Sequence, residues 1–89
     1  MKLNPDFVMR QVAGTWVVIP FGEAAGRLNG MISLNETGAF LWKALEEGSR
    51  ESDLVDRLLA EYAVSREIAQ ADVAAFLRTL RQADCLIEE

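Results

Sequence analysis

The stretch Gly30–Trp42, GMISLNETGAFLW, is where the chain changes its hydrophobic period. Gly30–Ser33 reads as a short strand. Beyond it Phe40, Leu41, Ala44 and Leu45 recur on one helical face, and Gly48 closes the segment. Two helix starts compete in between. Asn35 is a favoured N-cap type, whereas Ser33 with Glu36 three residues later fits a capping box. The change near Leu34 divides the chain into a strand-rich first third and a helical remainder.

Upstream, Phe7–Val12 (FVMRQV) and Thr15–Pro20 (TWVVIP) are β-rich runs separated by Ala13-Gly14, which suits a tight hairpin with a glycine bulge. Phe21–Asn29 carries two glycines and reads as a loop. The three strands make an antiparallel meander. Downstream, a second helix starts near Ser49–Ser52, with Leu54, Val55, Leu58, Leu59 and Tyr62 on one side and Asp53, Asp56, Arg57 and Glu61 on the other. The third is capped by Ser65 and runs to about Ala83, with Ile68, Val73, Phe76, Leu77 and Leu80 inward. Arg78 and Arg81 in its last turns complement the helix dipole. Three strands followed by three amphipathic helices around one core define an α+β class, and 89 residues are room for a single domain, 1–89.

The absences narrow the chemistry. The chain has no histidine, which removes the commonest general base and metal ligand together. Its one cysteine, Cys85, allows neither an internal disulfide nor a multi-cysteine zinc site, and in the apolar run Cys85-Leu86-Ile87 it reads as a buried structural thiol. Gly22, Gly26 and Gly30 lack the lysine of a phosphate loop. The carboxylates Glu46/Glu47, Asp53/Asp56 and Glu88/Glu89 fall where solvated acids are routine. The expectation is therefore no enzyme, no metal and no cofactor. Nine Lys/Arg against fourteen Asp/Glu leave a net charge of −5, and the cations are scattered from Lys2 to Arg81, which disfavours nucleic acid. No apolar run approaches the ~18 residues of a membrane span and no signal-like segment opens the chain, so the expected address is the cytoplasm.

Two features point outward. The second strand is apolar on both phases, with Trp16, Val18 and Pro20 on one and Val17, Ile19 and Phe21 on the other. A small antiparallel sheet normally shows one face to water, so the second face needs cover. The N-terminal arm and the Phe21–Asn29 loop are the plain candidates; a partner chain or a homodimer is the alternative. The third strand is the other feature, because Gly30–Ser33 has neither lysine nor proline to blunt an edge. Most edges are idle, yet such an edge can take an extended peptide as a further strand.

Three landmarks carry a resemblance. LNETGAFLW at Leu34–Trp42 follows a short strand. Leu54-Val55-Asp56-Arg57-Leu58 precedes Glu61-Tyr62, and Asp72-Val73-Ala74-Ala75-Phe76-Leu77-Arg78-Thr79-Leu80 precedes Leu86-Ile87. In this order, from about Val8 to Glu88, they resemble the family of pyrroloquinoline quinone biosynthesis protein D, the PqqD-like proteins. Asp84 departs from the glycine common at the turn after the last helix, and aspartate tolerates left-handed φ better than most residues. The resemblance implies a winged-helix-like fold and a non-enzymatic role in making ribosomally synthesised, modified peptides. Such a protein binds the leader region of a precursor peptide and presents the rest to a modifying enzyme, a radical SAM protein or a protease and cyclase. It implies that the peptide adds beside the third strand at Met31, Ile32 and Ser33, against a helix wall of Asp72, Ala75, Phe76 and Thr79. Phe76 also fits the core stripe. The competing readings are a winged-helix nucleic-acid binder, which the charge opposes, and a small self-associating structural domain.

Overall fold

A computed structural model describes residues 1–22 and 32–88. The elements run β1 (Lys2–Leu3), β2 (Phe7–Val12), β3 (Thr15–Pro20), β4 (Ile32–Leu34), α1 (Glu36–Glu46), α2 (Glu51–Glu61), α3 (Arg66–Gln82) and β5 (Leu86–Ile87). Strands β2, β3 and β4 form an antiparallel sheet in that order, so β4 is an edge among the described residues. The first two strands match their expected bounds. Their turn does not, because Val12 pairs directly with Thr15. The loop is thus two residues, Ala13 at φ 51° and Gly14 at φ 80°, and no bulge is needed. Positive φ at both positions gives the turn a twist that matches right-twisted strands.

The third strand differs from its expected bounds. Ile32 and Ser33 lie in it, it extends to Leu34, and Gly30 and Met31 fall outside the described residues. The competition for the helix start is resolved at Asn35. Its Oδ1 accepts from the Gly38 N–H at 2.7 Å, satisfying one of the orphan donors of α1. Ser33 is held in the sheet and cannot also start the helix. Gly38 lets this junction pack closely. A Cβ there would stand 3.2 Å from Asn35 Oδ1 and 3.3 Å from Leu34 Cβ.

Packing follows the amphipathic patterns with one correction. Leu41, Trp42 and Leu45 of α1, Leu54 and Leu58 of α2, and Val73, Leu77 and Leu80 of α3 are almost wholly buried, together with Val18 of β3. Ile68, expected inward, is 52% exposed, and its neighbour Ala69 is buried in its place. Ser65 caps α3, its hydroxyl accepting from the Ile68 N–H. At the start of α2 the Asp53 carboxylate accepts from the Arg50 N–H, which holds its pKa below the usual range.

A second, two-stranded sheet has no counterpart in the sequence reading: β1 pairs with β5, Lys2 opposite Ile87 and Leu3 opposite Leu86. The N-terminal arm therefore closes on the C-terminus, and most of the Phe21–Asn29 loop, the other candidate cover for the outer face, lies outside the described residues. The Asn4 N–H donates to the Cys85 carbonyl at 2.7 Å and the Asn4 side chain to that of Asp84. Asp84 makes the expected left-handed turn, φ 61°. Cys85 is buried beside it, and desolvation, with the Asp84 charge second, pushes its thiol up to about 11. Arg81 ties down the C-terminal end through a 2.8 Å ion pair with Glu88.

Candidate functional site

The two faces of the large sheet are now distinguishable. Phe7, Met9, Val18, Ile32 and Leu34 pack on the helices. On the other face Val17 is buried, Ile19 is half-buried, and Val12 and Phe21 are about half exposed. The inner face is the core and the outer one is a mixed apolar surface.

The hairpin also fixes the phase of the free edge. In an antiparallel ladder, residues whose N–H and C=O groups bond one neighbouring strand alternate with residues that bond the other. Val12 and Thr15 close a two-residue hairpin and so form a bonded pair, and the Phe21 N–H donates to the Asp6 carbonyl at 2.6 Å. Odd-numbered residues of β3 therefore bond β2. Even-numbered ones, Trp16 and Val18, bond their β4 partners Leu34 and Ile32. Ser33 lies opposite Val17, whose bonds go to β2, so the N–H and C=O of Ser33 point away from the sheet. Outside the strand ladders, neither group makes a backbone hydrogen bond among the described residues.

Beside this edge runs a cleft of ≈ 340 Å³. Ser33 and Leu34 form its strand side, and Asp72, Ala75, Phe76 and Thr79 of α3 form the opposite wall. Its floor comes from the start of α1, with Asn35, Thr37, Gly38 and Leu41. The wall residues lie at i, i+3, i+4 and i+7, one face of a helix. The core residues Ala69, Val73, Leu77 and Leu80 occupy the adjacent face. Phe76 stands between the two and is half-buried, its ring partly packed on the core and partly in the cleft. Phe76 therefore belongs to the core stripe and to the cleft lining at once.

Five of the seven candidate residues, Ser33, Asp72, Ala75, Phe76 and Thr79, thus share one cleft. Ile32 faces the core and is not part of the lining, and its backbone is spent on Val18. Met31 lies outside the described residues. The floor was not foreseen. Its signal was present in LNETGAFLW, because an Asn35 cap necessarily brings Thr37 and Gly38 beside the end of the strand.

The lining mixes apolar groups with hydroxyls and one charge, that of Asp72. It contains no nucleophile paired with a base. Among the described residues no group of His, Cys, Asp or Glu is placed to hold a metal ion. No helix among them is long and apolar enough to cross a membrane.

A strand edge that is unpaired among the described residues and flanks a helix-walled cleft suits a module that receives an extended chain. The sequence matches the family of coenzyme PQQ synthesis protein D (PqqD) over residues 15–86, and the chain belongs to that family. Two solved structures are similar over nearly the whole chain. One, TbiB1 in complex with the TbiA(beta) leader peptide, has a TM-score of 0.80 and 28% identity, covering 100% of this chain and 98% of that one. The other, lasso peptide synthetase B1 complexed with the leader peptide, has a TM-score of 0.77 and 26% identity, covering 98% and 96%. No curated protein gives a significant match.

Proposed function

We propose that this protein is a non-catalytic adaptor that binds the leader region of a ribosomally synthesised precursor peptide and presents the peptide to a modifying enzyme. The observation that carries the reading is the pair of leader-peptide complexes that share this fold end to end, together with an open edge beside a cleft in this chain. The leader adds as a strand outside β4. Its backbone bonds the outward N–H and C=O of Ser33, and alternate side chains enter the cleft between Leu34 and the Asp72–Thr79 wall. The enzyme that acts on the presented peptide is a radical SAM protein or a protease and cyclase. The nucleic-acid reading loses support from the structure as well as the charge, because Arg81 is tied to Glu88, Arg57 to Glu47 and Arg66 to Asp56.

The test uses the TbiA(beta) leader as the probe. Isothermal titration should show binding to the parent protein and a loss of about five- to a hundredfold in Ser33→Pro, which lacks the outward donor. Ser33→Pro should stay folded, since proline is tolerated where a strand's N–H faces outward. Equal affinity in a folded Ser33→Pro would show that the peptide does not use this edge.

A further inference from the structure

We propose that the α3 wall extends one turn beyond the cleft to Ile68, and that the site selects an extended peptide with an apolar–x–basic–x–apolar pattern. This rests on the leader-binding reading and deepens it. Ile68, Asp72 and Phe76 stand at i, i+4 and i+8, a single row along one side of the helix. Ile68 is 52% exposed although its type belongs in a core, and it lies in line with the cleft instead of the buried stripe. The exposed apolar side chain and the cleft are thus two parts of one surface.

The spacing of the row suits a strand. Four helical residues rise about 6 Å, and two strand residues span about 6.5 Å. A chain lying along α3 therefore sets residues n, n+2 and n+4 against Phe76, Asp72 and Ile68 in turn. The phase of the edge agrees. The peptide residue bonded to Ser33 points to the outer face of the sheet, and its two neighbours point toward α3.

Each subsite has its own chemistry. Phe76, with Leu34 and Leu41, offers an apolar seat. Ile68 offers a second. Asp72 between them is the cleft's one charge, it makes no ion pair among the described residues, and the whole chain carries a net charge of −5. A lysine or arginine placed there gains an opposite charge at the edge of a low-dielectric cleft, and a carboxylate is repelled.

The experiment pans a displayed library of random twelve-residue peptides against the full-length protein and three variants, Ser33→Pro, Asp72→Lys and Ile68→Asp. All three positions are exposed, and thermal melts establish that each variant is folded. Selection on the parent should enrich an apolar–x–Lys/Arg–x–apolar pattern. Asp72→Lys should invert the central preference to Asp/Glu, with the parent's peptides weakened about three- to tenfold. Ile68→Asp should erase the preference at one apolar position and leave the basic one. Peptides that Ser33→Pro rejects but that ignore both wall substitutions would overturn this proposal and keep the edge. Peptides that bind Ser33→Pro as well as the parent, or no enrichment at all, would overturn both.

Discussion

Two adjacent faces of α3 differ in burial and in chemistry. Ala69, Val73, Leu77 and Leu80 are fully buried, while Ile68, Asp72, Ala75 and Thr79 are exposed on the adjacent face. Helical period explains the first row, which packs on α2 within the shared core. It does not explain the second, where an isoleucine stands in solvent beside an aspartate. Ile68 continues the row of the cleft, which is the basis for the proposed peptide contact there. The same contrast separates Ile32, whose backbone closes the sheet, from Ser33, whose backbone opens outward.

Substitutions that break this contrast can be ranked. Leu77→Ala removes a wholly buried side chain from the core face and should cost about 2–5 kcal/mol, as should Leu58→Ala on α2. At about 4–8 °C per kcal/mol, either change should lower the melting temperature by at least ~8 °C. An unchanged Tm would mean that the row does not face the core. Ile32→Pro comes next. It deletes a donor that bonds Val18 and should cost about 1–3 kcal/mol, whereas Ser33→Pro should leave the circular dichroism spectrum and Tm nearly unchanged. If both prolines unfold the protein, or neither does, the phase of β4 is misassigned.

Phe76→Ala straddles the two faces and should do some of each. Loss of a half-buried ring should lower stability by about 1–2 kcal/mol and weaken peptide binding in the same variant. An effect on Tm with no effect on titration would place the ring wholly in the core. Asp84→Gly is the smallest change. A non-glycine residue at φ 61° is strained, so glycine there should stabilise the fold by about 0.5–1 kcal/mol without touching the cleft. Cys85 gives a chemical check on the far end of the molecule. With its thiol pushed up to about 11, the thiolate fraction at pH 8 is on the order of 0.1%, and alkylation in the native protein should be far slower than after denaturation.

Much of the fold was legible along the chain. Phe7–Val12 and Thr15–Pro20 announced themselves by composition around Ala13-Gly14, and α2 by its unbroken Leu54–Val55–Leu58 stripe, because these signals are local and repeat over several residues. The wall of the cleft was legible too, through the landmarks of a family to which the chain belongs. What sequence alone left open depends on distant segments. A two-residue strand has no period to read, so the pairing of Lys2–Leu3 with Leu86–Ile87 needs both ends brought together. Whether Ile68 lies inside or outside turns on the few tens of degrees that separate one helical row from the next, and only packing against α2 and the shared core decides that rotation. The phase of β4 is set across the sheet, by the hairpin between β2 and β3, since a strand's outward bonds are those its neighbour does not take.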